Sequence, residues 1–206
     1  MIKVLREGIH TKKISDQTYT VWDPICSSSI LIRTQGVNIL VDPGHIARHR
    51  ELVNLLDKEG LKPYDIDFVF ITHHHMDHAS DMGAFLKAKL FIEDGFIVPN
   101  DVSYEVYKDL EKVPLPGSCK VLLTPGHTID SRSFLFIEDN VRFVCAGDAV
   151  REDAIRGGEK IGYDDEKLFK QSVKFIFKTA DIIIPGHGRI IEGKNKEELQ
   201  KIVEKY

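Results

Sequence analysis

The chain has 206 residues, 42% of them hydrophobic, and a formal net charge of −4. That length suits one substantial domain and is short for two, so residues 1–206 are read as a single unit. The charge offers no basic field for nucleic acid, and no run of 18 apolar residues offers a membrane span.

In chain order, MIKVLREGIH carries charge at once and lacks the apolar core of a signal peptide. Lys3–Arg6 and Thr18–Trp22 read as short strands. Ser27–Arg33 and Gly36–Asp42 follow as a pair around a tight Gln35-Gly36 turn, so the chain opens in antiparallel β structure. A helix is expected from about His45 to Glu59, with Leu52, Val53 and Leu56 on one face and Gly60 as its stop. Asp65–Thr72 and Leu90–Ile92 are strands, with a short helix starting near Asp81. Pro99–Gly117 is ambiguous: Val102, Val106 and Leu110 have helical spacing, slightly favoured over edge strand or loop.

Lys120–Thr124, Ser133–Glu138 and Val141–Ala146 are strands, the last two joined by a turn at Glu138-Asp139-Asn140. Arg151–Asp164 reads as loop and Asp165–Ala180 as a helix with an apolar stripe of Phe169, Val173, Ile176 and Ala180. Asp181–Ile184 is a buried strand. Asn195–Tyr206 is the last helix, with Asn195 as its N-cap. Strands followed by helices in both halves predict two sheets face to face with helices outside. Three cysteines, Cys26, Cys119 and Cys145, form no CxxC pair and read as buried thiols in a reducing cytoplasm.

The chemistry concentrates at Ile71–Asp81, ITHHHMDHASD, which holds four of the nine histidines. An apolar strand delivers the cluster into a loop, which an affinity tag would lack. In an extended segment His73 and His75 face one side and His74 the other, so the first two can share one metal ion. A following helical turn can bring Asp77 and His78 to a second position nearby. Three later strands end the same way: VLLTPG before His127, RFVCAG before Asp148 and DIIIPG before His187. Each junction alone is weak, since a capping or turn role would explain it. Together they supply five imidazoles and two carboxylates, enough for two metals with a shared carboxylate.

These motifs resemble the metallo-β-lactamase superfamily, whose HxHxDH pattern stands here as His73-His74-His75-Met76-Asp77-His78. The later markers stand as Pro125-Gly126-His127, Gly147-Asp148 and Gly186-His187-Gly188. The resemblance implies an α+β fold, the four-layer αββα sandwich, with a binuclear site at one edge. It implies His73, His75 and His127 on the first metal, Asp77, His78 and His187 on the second, and Asp148 between them. His74 has no ligand position. Asp42 falls where the family often has a carboxylate behind a ligand histidine, although a turn-forming role explains it as well.

The resemblance further implies a metal-dependent hydrolase in which a metal-bridging hydroxide attacks an ester, thioester, lactone or phosphodiester. Asp77 would orient the nucleophile or pass on its proton, and Asp148 would hold the two ions together. Zn²⁺ is the first expectation for both, and iron or manganese suits the same donors. The chain lacks the insertion between Asp148 and His187 that nucleic-acid-cutting members carry. About 19 residues follow His187, short of the helical region of hydroxyacylglutathione hydrolases. Arg151 stands where homoserine lactonases often have tyrosine. Small stand-alone members fit best, with monomer and homodimer both open.

Arg151, Arg156 and Lys160 lie just past Asp148 and are candidate substrate contacts, which points to an anionic small molecule. A solvated charged loop is the plainer account of each alone. Tyr19, Trp22 and Tyr163 are candidate apolar walls, with ordinary packing the plainer account. Two other classes stay open: a mononuclear iron persulfide dioxygenase-like enzyme and a non-catalytic metal-binding scaffold. The second-site residues Asp77 and His187 favour the binuclear hydrolase.

Overall fold

The computed structural model describes residues 1–10, 12–15, 18–20, 25–98, 103–158 and 162–206. The first half contributes strands β1 (Ile2–Arg6), β2 (Lys12–Ser15), β3 (Thr18–Thr20), β4 (Ser29–Thr34) and β5 (Val37–Val41), then helix α1 (His49–Lys58). Strand β6 (Phe68–Phe70) leads into the one-turn helix α2 (Met76–Ala79). Strands β7 (Lys89–Ile92), β8 (Gly95–Val98) and β9 (Ser103–Val106) follow. The second half contains β10 (Lys120–Leu123), β11 (Arg132–Glu138), β12 (Val141–Gly147), the short α3 (Glu152–Ile155), α4 (Glu166–Thr179), β13 (Ile182–Pro185) and α5 (Gly193–Val203).

Seven strands form one sheet in the order β1-β4-β5-β6-β7-β8-β9, and four form another in the order β10-β11-β12-β13. Strands β2 and β3 pair separately. Alternation of side chains sorts the core into layers. Ile30, Ile32, Ile39, Val41, Phe70 and Phe91 face Phe134, Phe136, Cys145 and Ile184 between the sheets. Their neighbours point the other way: Leu31, Leu40 and Val69 pack under Leu52 and Leu56 of α1. Leu135, Val144 and Ile183 pack under Phe169, Val173 and Ile176 of α4 and Leu199 and Val203 of α5. The result is the expected αββα sandwich. All three cysteines are free and buried within it. No helix among the described residues is long and apolar enough to cross a membrane.

Several local expectations are corrected. Of the ambiguous Pro99–Gly117 stretch, residues 99–102 lie outside the described residues and Ser103–Val106 is strand: β8 and β9 extend the large sheet as antiparallel strands, and Glu93 turns the chain into β8 at φ 57°. At Val106 ladder pairing overrides the helical spacing, while Leu110 begins a 3₁₀ turn, Leu110–Lys112. Within Arg151–Asp164 one helical turn forms, because Ile155 is apolar and finds a buried seat. The last helix begins at Gly193, so Asn195 lies inside it. Its amide goes to Arg156 and Glu152 instead of capping. The strand expected over Asp65–Thr72 is confined to β6, with a 3₁₀ turn at Pro63–Asp65 before it. Where a short helix is expected from Asp81, a 3₁₀ turn forms at Met82–Ala84, and a separate helical turn, Met76–Ala79, precedes it and carries Asp77 and His78. Trp22 and Lys160 lie outside the described residues.

Candidate metal centre

The carboxyl ends of β6, β10, β12 and β13 converge at one edge of the sandwich. The loop after β6 brings His73 and His75, and α2 turns Asp77 and His78 back toward them. The other three strand ends bring His127, Asp148 and His187. Among the described residues four sets have donor atoms within 4.8 Å of one another, three of them here, His73–His75–His127, Asp77–His78–His187 and His73–His78–Asp148, and a fourth of mostly exposed groups, His74–Glu93–Asp130. His75 Nδ1 lies 3.0 Å from His73 Nε2 and 3.1 Å from His127 Nε2. Asp148 faces both ways. Its Oδ1 is 3.3 Å from His78 Nε2 and 3.4 Å from His187 Nε2, while its Oδ2 is 3.6 Å from His127 Nε2.

The far sides of three rings are tied down. His127 Nδ1 donates to the Gly162 carbonyl at 2.8 Å, which leaves Nε2 as a lone pair toward the cluster. His78 Nδ1 is 2.8 Å from Asp42 Oδ2, and Thr72 Oγ1 lies 3.1 Å from His73 Nδ1. Asp42 therefore stands behind a candidate ligand histidine, as the sequence suggested, and is also a turn residue at φ 48°. It accepts from the Thr72 backbone N–H and hydroxyl, both at 2.8 Å.

Backbone bonds hold the loops in register. Ser27 N–H donates to the Asp77 carbonyl and Ser28 N–H to that of Gly186, at 2.9 and 2.7 Å. Arg132 N–H donates to the Thr72 carbonyl at 2.8 Å and so ties β11 of the small sheet to the His73 loop. Gly186 has no room for a side chain: a Cβ there would sit 2.3 Å from Asp148 Oδ1 and 2.8 Å from His78 Cε1.

The electrostatics fit a cation. Burial, with the charge of His78 beside it, pushes His73 down to about 2. Burial also lowers His127. Burial opposes a charge on Asp148, but His187 and His78 outweigh it and hold the carboxyl well below the usual range. Burial opposes ionisation of Asp77 too, but His187 and then His78 bring it to about 2. Burial likewise opposes a charge on His78, and Asp42 and Asp148 raise it well above 6.5. Among the described residues, His78 Nε2, Asp148 Oδ1 and both nitrogens of His187 are buried without a hydrogen-bond partner. Such orphaned atoms are costly unless something binds them. The separations of 3.0–3.6 Å also bracket the edge of about 3.3 Å expected for a tetrahedron of zinc–nitrogen bonds. The donor set supports divalent metal binding.

The remaining expectations separate. His74 turns away from the cluster, with Nδ1 2.7 Å from Asp130 Oδ2, at a cleft of about 380 Å³. That cleft is lined by Glu93, Asp94, Ile129, Asp130, Arg132 and Asp164 as well. Arg151 is 4% exposed, paired with Asp153 and bonded to His10. Arg156 pairs with Glu152 and Glu198 and makes no described contact with the cluster. Tyr163 stacks on Phe169. Thr72, Asp130 and His10 were missed. A hydroxyl directly before His73 was the one available signal.

Asp42→Ala is expected to destabilise the metal-free protein by about 3 kcal/mol. The buried Thr72 N–H loses its acceptor, and alanine is forced to a positive φ. Asparagine tolerates that φ and keeps an acceptor oxygen, so Asp42→Asn should cost less. Urea denaturation measures both, and equal costs would contradict this account.

An αββα sandwich with a histidine–aspartate centre at its edge defines a class whose members are mostly metal-dependent hydrolases. A family model described as the metallo-beta-lactamase superfamily matches residues 22–93. A probable metallo-hydrolase of Methanocaldococcus jannaschii is 31% identical over 158 residues, 74% of this chain and 72% of that protein. The chain belongs to the metallo-β-lactamase superfamily. Metallo-beta-lactamase domain-containing protein 1 of Xenopus laevis is 27% identical over 195 residues, 91% of this chain and 79% of its own length. The chain spans only 58% of the human protein of that name. Among solved structures, a candidate metallo-β-lactamase of Thermotoga maritima aligns with TM-score 0.69 at 20% identity, covering 93% of this chain and 98% of that one. A dizinc quorum-quenching lactonase with bound product aligns with TM-score 0.63 at 21% identity, covering 78% and 72%. These two likenesses concern the fold alone.

Proposed function

We propose that residues 1–206 act as one metal-dependent hydrolase unit on a small ester, thioester, lactone or phosphodiester, with two divalent ions, zinc first. His73, His75 and His127 would hold one ion and Asp77, His78 and His187 the other, with Asp148 shared. The observation that carries this reading is the placement of Asp148: its two oxygens face different histidine sets, and Oδ1 has no hydrogen-bond partner among the described residues. Bound divalent ions supply Lewis acidity, which polarises a carbonyl or phosphoryl oxygen and makes water nucleophilic at neutral pH.

The chain's own residues divide the rest of the work. His73, His78, His127, His187 and Asp148 are buried, whereas the His75 ring is exposed and Asp77 is 19% exposed at its side chain. Substrate therefore reaches the cluster over His75 and Asp77. Asp77 would orient the nucleophile or pass its proton to the leaving group. This open edge supports catalysis over a closed scaffold. The complete second set supports two ions over one iron, so the persulfide dioxygenase reading ranks below hydrolysis. The expected anionic substrate gains little, because Arg151 and Arg156 already have carboxylate partners and the cleft beside His74 carries four carboxylates. Three buried free thiols support a reducing, cytoplasmic setting.

The deciding experiment is metal analysis of protein purified without added metal, with a panel of the four substrate types. Two equivalents of a divalent ion and turnover of one type are expected. One equivalent of iron with persulfide oxidation would replace this reading.

A further inference from the structure

The buried imidazoles of the centre differ in what stands behind each ring. His73, His78 and His127 each have a polar partner at Nδ1, namely Thr72, Asp42 and the Gly162 carbonyl. His187 has none among the described residues, although both of its nitrogens are buried. Its Nε2 lies 3.1 Å from Asp77 Oδ2 without the alignment of a hydrogen bond. Its ring instead meets two others nearly at right angles. The centroid of His10 is 5.1 Å away at 86° and that of His78 is 5.3 Å away at 84°.

His10 is itself held. Arg151 Nη1 lies 2.9 Å from His10 Nε2. A guanidinium can only donate, so Nε2 is the acceptor and the orientation of the ring is set. Arg151 is fixed in turn by Asp153, which accepts from Nε at 3.0 Å and from Nη2 as well. A planar fork gripped by one carboxylate leaves its remaining nitrogen pointing in a defined direction.

We propose that His10, clamped by the Arg151–Asp153 pair, is the positioning residue for His187. The Cβ–ring torsion of a histidine is broad, and metal-binding rings are usually fixed by a hydrogen bond to the nitrogen away from the ion. At His187 the edge-to-face contact with His10 takes that place. Arg151, which the sequence suggested as a substrate contact, acts instead through His10. This rests on the reading of His187 as a ligand of the second ion.

The test is titration of metal-free, full-length protein with Zn²⁺ against a chromophoric chelator, which resolves the two binding constants. His10→Ala is expected to weaken the second ion about 10-fold, the lower end for residues that orient a ligand, and to leave the first within about twofold. His10→Phe keeps the ring but not the clamp, so its second-ion affinity should fall between the parent and His10→Ala, close to that of Arg151→Ala. Arg151→Ala should weaken the second ion alone, and add nothing in the His10→Ala background, as expected of residues acting in series. Parental second-ion affinity in His10→Ala would overturn the proposal. So would equal losses at both ions, or a His10→Phe protein as weak as His10→Ala. His187→Ala separates the two levels: if that variant keeps both ions, the ligand reading itself has failed.

Discussion

Asp148→Asn is expected to leave at most one tightly held divalent ion and to lower turnover by at least about 10²–10³-fold, the loss typical when one charge-stabilising group leaves a catalytic site. The substitution keeps the shape of the side chain and removes its charge. Two cations a few ångströms apart repel strongly in a partly buried site, and Asp148 is the carboxylate with an oxygen toward each histidine set. The fold should survive. The apolar layers around Phe70, Phe134 and Val173 are built without the side chain of Asp148. Metal analysis by mass spectrometry, beside circular dichroism, gives the answer. Two ions retained in the variant would refute the shared-carboxylate role.

The second large effect is a contrast between adjacent residues. His75→Ala should remove the ion of the His73–His75–His127 set and abolish measurable hydrolysis, whereas His74→Ala should leave metal content nearly unchanged. Loss of a residue that merely orients a ligand typically costs about 10–100-fold in affinity, so loss of the ligand should exceed about 100-fold. His75 Nδ1 sits within 3.1 Å of two other ring nitrogens. His74 faces Asp130 and Glu93, and both it and Glu93 are about half exposed. Pairs that exposed contribute little. Equal metal loss in the two variants would contradict the alternation on which the contrast rests.

The centre was legible in the sequence because every candidate ligand group directly follows an apolar run that reads as a strand. VFIT, VLLTPG, RFVCAG and DIIIPG each announce where the chain leaves the sheet, and a ligand-type side chain comes next. Asp42 was legible for a related reason, standing at the end of β5. Strand β9 was not, since Val106 shares a helical spacing with Val102 and Leu110, and only pairing to β8 decides against it. His10 was out of reach in another way. Its partner Arg151 lies 141 residues further along, and no local pattern records such a meeting. Asn195 shows the same limit, because a good capping residue was drawn into a tertiary contact.

The strands that lead into His73 and into His187 are unequal in their surroundings. β6 lies inside its sheet between β5 and β7, while β13 is the last strand of its own and pairs in that sheet with β12 alone. Its outer side is met only by a single bridge between Ile183 and Ile191 among the described residues. Edge strands fray before central ones, and local opening follows the same order. Amide hydrogens of β13 will therefore exchange with solvent sooner than those of β6. Each such excursion loosens His187 while His73 and His75 stay in place.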